Sequence, residues 1–395
     1  MGARSILLTL LVAGFAAFIY QRSRVLYTFY ANVPERLPRI NTFKSHEIKF
    51  ADTIRNCEDV LLIEDQQLAI VACDDGREKW NVVQGVYVEG DLPSARIYAY
   101  NYAKQGADAD TLKEISLVNY HAGADFHTLG MAYDAPTSTL FVTNHAKGGH
   151  RIELFKLDTA KLTATHTRSI SHPLINIPNA ICLIGNDEFY VSNDHYITTR
   201  TSRPLSLAET YLSPPGGSLV HVKLGKGDDN KVDAKIVARL PFANGIEILN
   251  KTTVAVSASS RAAVYLYSLQ RDGDYGSLKY TSQIAVPFVP DNLSLSEGKL
   301  LIAGHPHAAI EAKYAATRHV CNDAMKLAAA DDKMKHYCQT SSAPSWVSEW
   351  TEEEGLKHLY VETEYPTSAT AVRDAKRGVG IVAGLYGKGI LVWKE

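Results

Sequence analysis

The segment ANGIEILNKTTVAVSASSRAAVYLYSL, residues 243–269, determines the fold that the sequence predicts. It contains three short runs of apolar and β-branched residues separated by turn residues, and the third run alternates aromatic with aliphatic side chains. Runs of this length and composition are typical of β-strands in antiparallel sheets. The segment therefore predicts a set of consecutive antiparallel strands, which begins at a polar residue, Asn244. We call such a residue, at the start of the first strand of a unit, a polar station.

The same order of station, strand, turn, strand and third strand recurs along the chain. The other five stations are Glu58, His127, Asn179, Asp291 and about Thr367. Spacings of roughly 50 to 75 residues suit elaborated propeller blades, whereas β-helix repeats are much shorter. A lipocalin-type barrel is excluded by the length of 395 residues. The sequence therefore predicts an all-β fold, a six-bladed β-propeller over residues 40–395.

Two segments fall outside the six units. The run HEIKF, residues 46–50, precedes the first station, and we expect it to supply the outer strand that closes the ring onto the last blade. The polar, Ala- and Lys-rich segment at about residues 307–342 is predicted to be an insertion in blade five, and residues 311–335 within it have a possible helical pattern.

The first strand of each propeller blade lines the axial channel, so the stations are expected to converge there. The predicted ring consists of Glu58, Asp59, His127, Asn179, Asn244, Asp291 and Asn292. Buried carboxylates cost several kcal/mol unless a cation or hydrogen bonds offset them. Oxygen donors without cysteine suit Ca²⁺, whereas Zn²⁺ prefers His or Cys in a tetrahedron. The sequence thus predicts a calcium ion in the channel; the alternative is that each Asn or Asp only caps a turn.

Two histidines are expected beside this ion. His127 is placed at the start of the first strand of blade two, and His145 follows the second strand, so antiparallel pairing predicts that they lie on one face. A histidine there is suited to act as a general base, with the second orienting it, although structural roles are the alternative. His305, at the end of a second strand, is expected to contact substrate. Asp194 and His195 are interpreted as a hydrogen-bonded pair that fixes a loop.

The sequence contains no Gly-x-Ser-x-Gly motif and no other local signature of a serine or cysteine nucleophile. Attack by water on a metal-polarised carbonyl needs no such nucleophile. The balance of 41 Lys and Arg against 43 Asp and Glu leaves a formal charge of -2, which excludes a strongly basic nucleic-acid-binding surface.

Several segments resemble the serum paraoxonase/arylesterase family of calcium-dependent lactonases. The matching pieces follow the family's order over about residues 50–310, and they are CED (57–59), FHTLGMAY (126–133), FVTNHA (141–146), ELFKL (153–157), NDEFYVSNDHY (186–196), PFANGIEI (241–248), VPDNLS (289–294) and GHP (304–306). The resemblance implies a proton-transfer pair, His127 and His145. It also implies a catalytic calcium, whose ligands would be Glu58, Asn179, Asn244, Asp291 and Asn292.

The sequence departs from this family at three places. Asp59 fits the family's second, structural calcium site, but Ala180 stands where an Asp is expected, so the second ion lacks a ligand. Gly304 replaces the family's free cysteine. The family's disulfide joins the two ends of the chain, whereas no cysteine occurs before Cys57 or after Cys338.

The N-terminus and the cysteines predict a secretory-pathway protein. Residues 1–30 contain an apolar run, Ser5–Tyr20, flanked by arginines, which predicts an N-terminal apolar helix that is either an uncleaved membrane anchor or a cleaved signal peptide. Cys321 and Cys338 flank the insertion and are the expected disulfide; Cys57 and Cys73 are a second possible pair. Asn250 begins an N-glycosylation sequon.

The function predicted from these features is calcium-dependent hydrolysis of a small-molecule lactone or aryl ester. Two alternatives stay open at this point. One is a related propeller enzyme, of the gluconolactonase or strictosidine-synthase type, the latter without this calcium ring. The other is a membrane-tethered, non-catalytic binding propeller with a purely structural calcium.

Overall fold

A computed structural model describes residues 2–120, 125–225, 231–271 and 273–395. Six antiparallel sheets form its body. The first strand of each sheet contacts the first strand of the next, and the first strand of the sixth sheet contacts that of the first, so the sheets close into a ring. The predicted all-β, six-bladed β-propeller is confirmed.

Each blade has four antiparallel strands that follow one another from the axis outward. They are Cys57–Ile63, Leu68–Cys73, Arg96–Asn101 and Leu112–Glu114 in blade one; Thr128–Asp134, Thr139–Asn144, Arg151–Asp158 and Thr163–Ile170 in blade two; Pro178–Leu183, Glu188–Asn193, Gly217–Leu224 and Val232–Leu240 in blade three; Ala243–Asn250, Thr253–Ala258, Ala263–Leu269 and Leu278–Ala285 in blade four; Val289–Ser296, Lys299–His305, Ser345–Thr351 and Gly355–Glu362 in blade five; and Ser368–Asp374, Val379–Gly384, Ile390–Lys394 and Ser45–Lys49 in blade six. Short extra strands extend two outer edges: Ser116–Val118 in blade two and Ile40–Asn41 in blade five.

The ring closes by the pairing that the sequence predicted. Ser45–Lys49, from the N-terminal part of the chain, pairs antiparallel with Ile390–Lys394 and becomes the outer strand of blade six. Phe43 strengthens this closure because its ring stacks on Trp393, with the ring centroids 4.7 Å apart. The two ends of the propeller are thus joined by backbone hydrogen bonds and an aromatic contact rather than by a disulfide.

The apolar core lies between neighbouring blades. Phe141 of blade two and Phe189 of blade three are fully buried and meet edge to face, with their ring centroids 5.5 Å apart. Burial of each large side chain contributes about 1.5–3 kcal/mol. Apolar contacts recur between all neighbouring blades. They hold the inner strands, and therefore the channel residues on these strands, in fixed positions.

Helical elements and one two-stranded ribbon lie outside the blades. The helices are Ala3–Ala31, Asp108–Thr111, Arg203–Leu212, Ala308–Cys321, Ala324–Ala329 and Asp332–Thr340, with 3-10 turns at Asp75–Glu78 and Ser259–Arg261 and a ribbon of Trp80–Asn81 with Val86–Tyr87. The sequence predicted a helical pattern only near the last three of these α-helices and in the N-terminal segment. We call Arg203–Leu212, which the sequence did not predict, the mouth helix.

The N-terminal helix, Ala3–Ala31, is long and apolar enough over Arg4–Thr28 to cross a membrane. Most of its apolar side chains are exposed. Its C-terminal part instead packs on the propeller, where Arg22 and Val25 are buried and Arg22 Nη1 donates to the carbonyl of Ser260 at 2.7 Å.

Two disulfides are present. Cys57 pairs with Cys73 across the first two strands of blade one, and Cys321 pairs with Cys338 across the insertion helices. Cys182 is buried and free.

Candidate metal centre and cleft

A break in strand register places the candidate metal ligands. In every blade the pairing between the first and second strands shifts near the start of the first strand. A bulge of this kind re-aims the side chains of the residues it contains. The bulges contain Glu58, Leu129–Gly130, Asn179–Ala180, Asn244–Gly245, Asp291–Asn292 and Ala369.

Glycines in these bulges let neighbouring inner strands approach closely. A Cβ atom on Gly245 would lie 2.6 Å from the carbonyl oxygen of Asp291 and 2.6 Å from the Cα of Asn292. A Cβ atom on Gly130 would lie 2.5 Å from the carbonyl oxygen of Asn179. The glycine after Asn244 in the FANGI segment is therefore required by the packing of blade four against Asp291 and Asn292, the candidate metal ligands of blade five.

Three buried side-chain oxygens in the ring have no hydrogen-bond partner among the described residues. They are Glu58 Oε2, Asn179 Oδ1 and Asn244 Oδ1. The Asn179 amide nitrogen donates to Asp194 Oδ1 at 2.8 Å, which leaves the amide oxygen free. Buried polar atoms nearly always have partners. Three such atoms on the bulges of three blades therefore fit a site for an oxygen-binding cation.

The electrostatics of the ring also favour a cation. Burial, together with the nearby carboxylates of Asp59 and Asp291, raises the pKa of Glu58 well above its usual value. Asn292 Nδ2 donates to Glu58 Oε1 at 2.8 Å. In the described ranges, no three His, Cys, Asp or Glu side chains form a metal cluster by themselves. Amide oxygens, which are ligands typical of calcium, would instead complete a donor set at this ring.

Asp59 differs from the other predicted ligands. Its carboxylate accepts hydrogen bonds from the backbone of Val60 at 2.8 Å and of Met131 at 2.6 Å, and from the hydroxyl of Thr370 at 3.0 Å. Burial raises its pKa to about 6. Asp59 and Ala180 line a separate cleft at the other end of the channel. Both oxygens of Asp59 accept protein hydrogen bonds, whereas Oε2 of Glu58 accepts none from the described residues.

A cleft of about 1120 Å³, part of it open to solvent, lies over the ring. Its floor includes Glu58, Asn179, Asn244 and Asp291. Its upper walls come from Arg22 of the N-terminal helix, from the mouth helix, and from Ala308–Cys321, which we call the first insertion helix. Apolar side chains, among them Leu129, Leu207, Phe242, Val289 and Leu385, form much of the remaining surface. The shape and lining suit a small, partly apolar molecule whose polar group reaches the ring.

His305 lies in the cleft, in contact with the ring. Its Nε2 is 2.8 Å from Asp291 Oδ2 and 3.6 Å from Glu311 Oε1, which reaches in from the first insertion helix. Gln84 Nε2 also donates to Glu311 at 2.9 Å. Burial lowers the pKa of His305, but Glu311 and Asp291 together outweigh it and raise the pKa above its ordinary value.

His127 and His145 lie together but do not line the cleft. The His145 backbone N–H donates to the His127 carbonyl at 2.8 Å, so the expected shared face is present. His127 precedes the inner strand, which begins at Thr128, and the bulge residue of blade two that lines the cleft is Leu129. The station of blade two is therefore two residues later than the sequence pattern indicated.

The environments of the two histidines are specific. His127 Nδ1 is 3.2 Å from Asp74 Oδ2, and His145 Nε2 is 2.7 Å from the carbonyl oxygen of Pro178. Burial, followed by the neighbouring His150, lowers the pKa of His145 well below its usual value. His145 is thus held neutral, with its Nε2–H donating to a backbone carbonyl.

The interpretation of Asp194 and His195 as a mutual pair is wrong. Asp194 is fully buried and accepts from Asn179, which orients a candidate metal ligand. His195 Nε2 instead contacts Thr210 Oγ1 of the mouth helix at 2.7 Å. The two side chains diverge because adjacent residues at the end of a strand point in opposite directions.

The cleft residues that were not predicted from the sequence include the charged or polar side chains of Arg22, Arg77, Gln84, Arg203 and Glu311. They come from helices, a 3-10 turn and a loop, where no strand periodicity marks them. A signal was present only for Glu311, which lies in the segment predicted as a possible helix.

The comparison with protein families identifies the class of this protein. A sequence model described as Arylesterase matches residues 95–333, which is more than half of the chain. The chain belongs to the arylesterase family. This confirms the resemblance found in the sequence.

Curated relatives of this arylesterase family protein are distant. Serum paraoxonase/lactonase 3 of Oryctolagus cuniculus is 29% identical over 175 residues, which cover 43% of this chain and 46% of the relative. Serum paraoxonase/arylesterase 2 of Homo sapiens is 28% identical over 174 residues, with coverage of 43% and 46%. The chain thus matches about half the length of these relatives.

Solved structures show the same fold at low identity. A luciferin-regenerating enzyme superimposes with a TM-score of 0.51 and 12% identity over 89% of this chain and 95% of its own. A gluconolactonase from Xanthomonas campestris has a TM-score of 0.50 and 14% identity over 91% of this chain and 94% of its own. At these identities the likeness supports the propeller fold alone.

Proposed function

We propose that this arylesterase family protein is a calcium-dependent hydrolase of lactones or aryl esters. The observation that carries the proposal is the set of unpaired, buried oxygens of Glu58, Asn179 and Asn244 at the floor of an open cleft. Asp291 and Asn292, on the adjacent bulge, would complete a five-residue ligand set for one calcium ion. The second, structural ion is not part of the proposal, because Asp59 is already hydrogen-bonded and Ala180 offers no side-chain oxygen.

Calcium, when bound, would polarise the substrate carbonyl and stabilise the oxyanion that forms on attack by water. The protein would orient the side-chain oxygens that bind the ion. Asp194 turns the Asn179 amide oxygen toward the ring, and the bulges direct the other donors into the cleft. The apolar walls would hold the remainder of the substrate and exclude excess water.

The proton-transfer role predicted for His127 and His145 stays a proposal, and the structure supplies a second candidate. His127 and Asp74 form a pair in which Asp74 can orient the imidazole. His305, however, lines the cleft, as any group that contacts the substrate must, and it also contacts Asp291. Replacing each histidine by Gln distinguishes between the two candidates for proton transfer. Loss of kcat in His305→Gln alone would assign the proton transfer to His305, and loss in His127→Gln alone would assign it to the His127 pair.

The test of the function is a hydrolysis screen over lactones of different ring size and phenyl acetate, with and without calcium. We expect Asn244→Ala and Asp291→Ala to abolish turnover and to lower the bound calcium measured by elemental analysis. Asn41→Ala, at the exposed outer edge of blade five, is the matched control. Activity undiminished after complete chelation would refute calcium dependence. Bound calcium without turnover of any substrate would instead favour the binding propeller.

We also propose that the N-terminal helix anchors the propeller to a membrane of the secretory pathway, with the cysteine pairs oxidised in that compartment. Asn250 is exposed, at the end of blade four away from Asn244, and is available for N-glycosylation. A shift in gel mobility after treatment with an N-glycosidase, absent in Asn250→Gln, tests the modification.

A further inference from the structure

Three arginines line the cleft, and within the described ranges none of them forms a salt bridge. They are Arg22 of the N-terminal helix, Arg77 of the 3-10 turn after the second strand of blade one, and Arg203 at the start of the mouth helix. Arg203 is exposed, whereas Arg77 retains 2% and Arg22 5% of its accessible surface. Buried guanidinium groups are costly unless they are paired.

The two buried arginines are only partly satisfied. Arg77 Nη2 donates to the carbonyl of Thr128 at 2.5 Å, and Arg22 Nη1 donates to that of Ser260 at 2.7 Å. The Nε of each is buried without a hydrogen-bond partner among the described residues. A guanidinium group offers five donors in a rigid fork, and the fork matches a carboxylate. Arg22 Nη2 and Arg77 Nη1 form no hydrogen bond with the described residues, so each side chain has a donor left for a ligand in the cleft.

The charge balance of the cleft points to an anionic ligand. Calcium would offset the negative charges of Glu58 and Asp291 on the floor. Three arginines then face one further lining carboxylate, that of Glu311, which already contacts His305 and Gln84. The calcium-loaded cleft would thus hold a net positive charge, with Arg77 on one wall and Arg22 on the opposite wall.

We propose that this cleft selects esters or lactones that carry a carboxylate, and that Arg77 binds that group. This inference rests on the proposed function, since it names the substrate class of the same site. The apolar lining holds the carbon skeleton, the ring faces the scissile carbonyl, and Arg77 fixes the far end of the substrate. Charge-assisted bonds from a forked guanidinium group give both affinity and orientation.

The test compares two matched substrates, 4-acetoxybenzoate and 4-acetoxybenzamide, which differ in the charge of one group. We expect the ratio of their kcat/KM values to fall in Arg77→Met by about tenfold to a hundredfold, the range for one lost hydrogen bond to a charged group. Arg77→Lys should restore part of the preference. Arg22→Met removes a positive charge from the opposite wall and should lower the same ratio by a smaller factor, and Arg77→Lys keeps the test valid if Arg77→Met fails to fold. Arg39→Gln, an exposed arginine paired with Glu362, is the control.

A second measurement does not depend on turnover. Titration calorimetry compares the binding of 4-hydroxybenzoate and 4-hydroxybenzamide to the wild-type protein and the Arg77 variants. Tighter binding of the carboxylate, lost in Arg77→Met and retained in Arg77→Lys, supports the inference even if no ester is hydrolysed, in which case the proposed function alone fails. Equal binding of both compounds, or equal losses of kcat/KM on both esters in Arg77→Met, would overturn the inference, since Arg77 would then only balance Glu58.

Discussion

Replacing Gly245 by alanine should damage both the fold and the candidate metal site. The added Cβ would meet the carbonyl oxygen of Asp291, the Cα of Asn292 and the backbone nitrogen of Leu293, each at 2.6 Å. All three are backbone atoms, so the clash is not relieved by rotation of a side chain. Inner strands of blades four and five must separate instead.

The expected cost follows from this geometry. Overpacking of a tight interior typically destabilises a protein by about 1–3 kcal/mol, and three backbone contacts at once place Gly245→Ala at the upper end. Calcium affinity should fall as well, because the separated strands carry Asn244, Asp291 and Asn292. Assays are thermal unfolding and calcium titration calorimetry. Gly185→Ala is the matched control, since a Cβ there meets no atom within 4 Å. Unchanged unfolding and calcium binding in Gly245→Ala would refute the account of the inner strands.

Three further predictions concern other parts of the chain. The double variant Cys57→Ser with Cys73→Ser opens a loop of 16 residues, and it should lower the free energy of unfolding, measured in denaturant, by about 3 kcal/mol. An unchanged midpoint of denaturant unfolding would show that strand pairing alone holds blade one. Burial raises the pKa of Glu247 to about 7 from the usual 4.5. The stability of the wild type relative to Glu247→Gln should therefore fall as the pH rises from about 4.5 to 7 and stay constant above that. Melting temperatures of the two proteins that change in parallel with pH would contradict this. Deletion of residues 2–20 should release the protein from membranes in a carbonate extraction, and a truncated protein that still sediments with the membranes would point to another attachment.

The fold was predictable because its signal is periodic. Strand alternation and the recurrence of the stations do not depend on distant contacts, so both the blades and the closing strand, 45–49, followed from the sequence. The oxygen-rich character of the ring was predictable for the same reason. The pairing register between the first two strands of a blade could not be predicted, because a bulge adds a residue without changing the local sequence pattern. This is why His127 was placed in the ring, although Leu129 occupies the equivalent position.

The walls of the cleft could not be predicted in the same way. The mouth helix has only 10 residues, and its start is marked by little more than Pro204 near its N-terminus. Arg77 lies in a 3-10 turn, and Arg22 lies in a helix whose sequence indicates only a membrane segment. Their positions in the cleft depend on tertiary packing between segments far apart in the sequence, which local pattern does not encode.

The outer strand of blade six has a consequence for the order of biosynthesis. Ser45–Lys49 is translated before the strands of blades one to five, whereas its partner, Ile390–Lys394, is translated after them. Until then the early strand has an unpaired edge, which is a template for association with other chains. Ring closure is therefore a late event, and the nascent protein passes through a stage in which five blades can form while the sixth waits for its inner three strands.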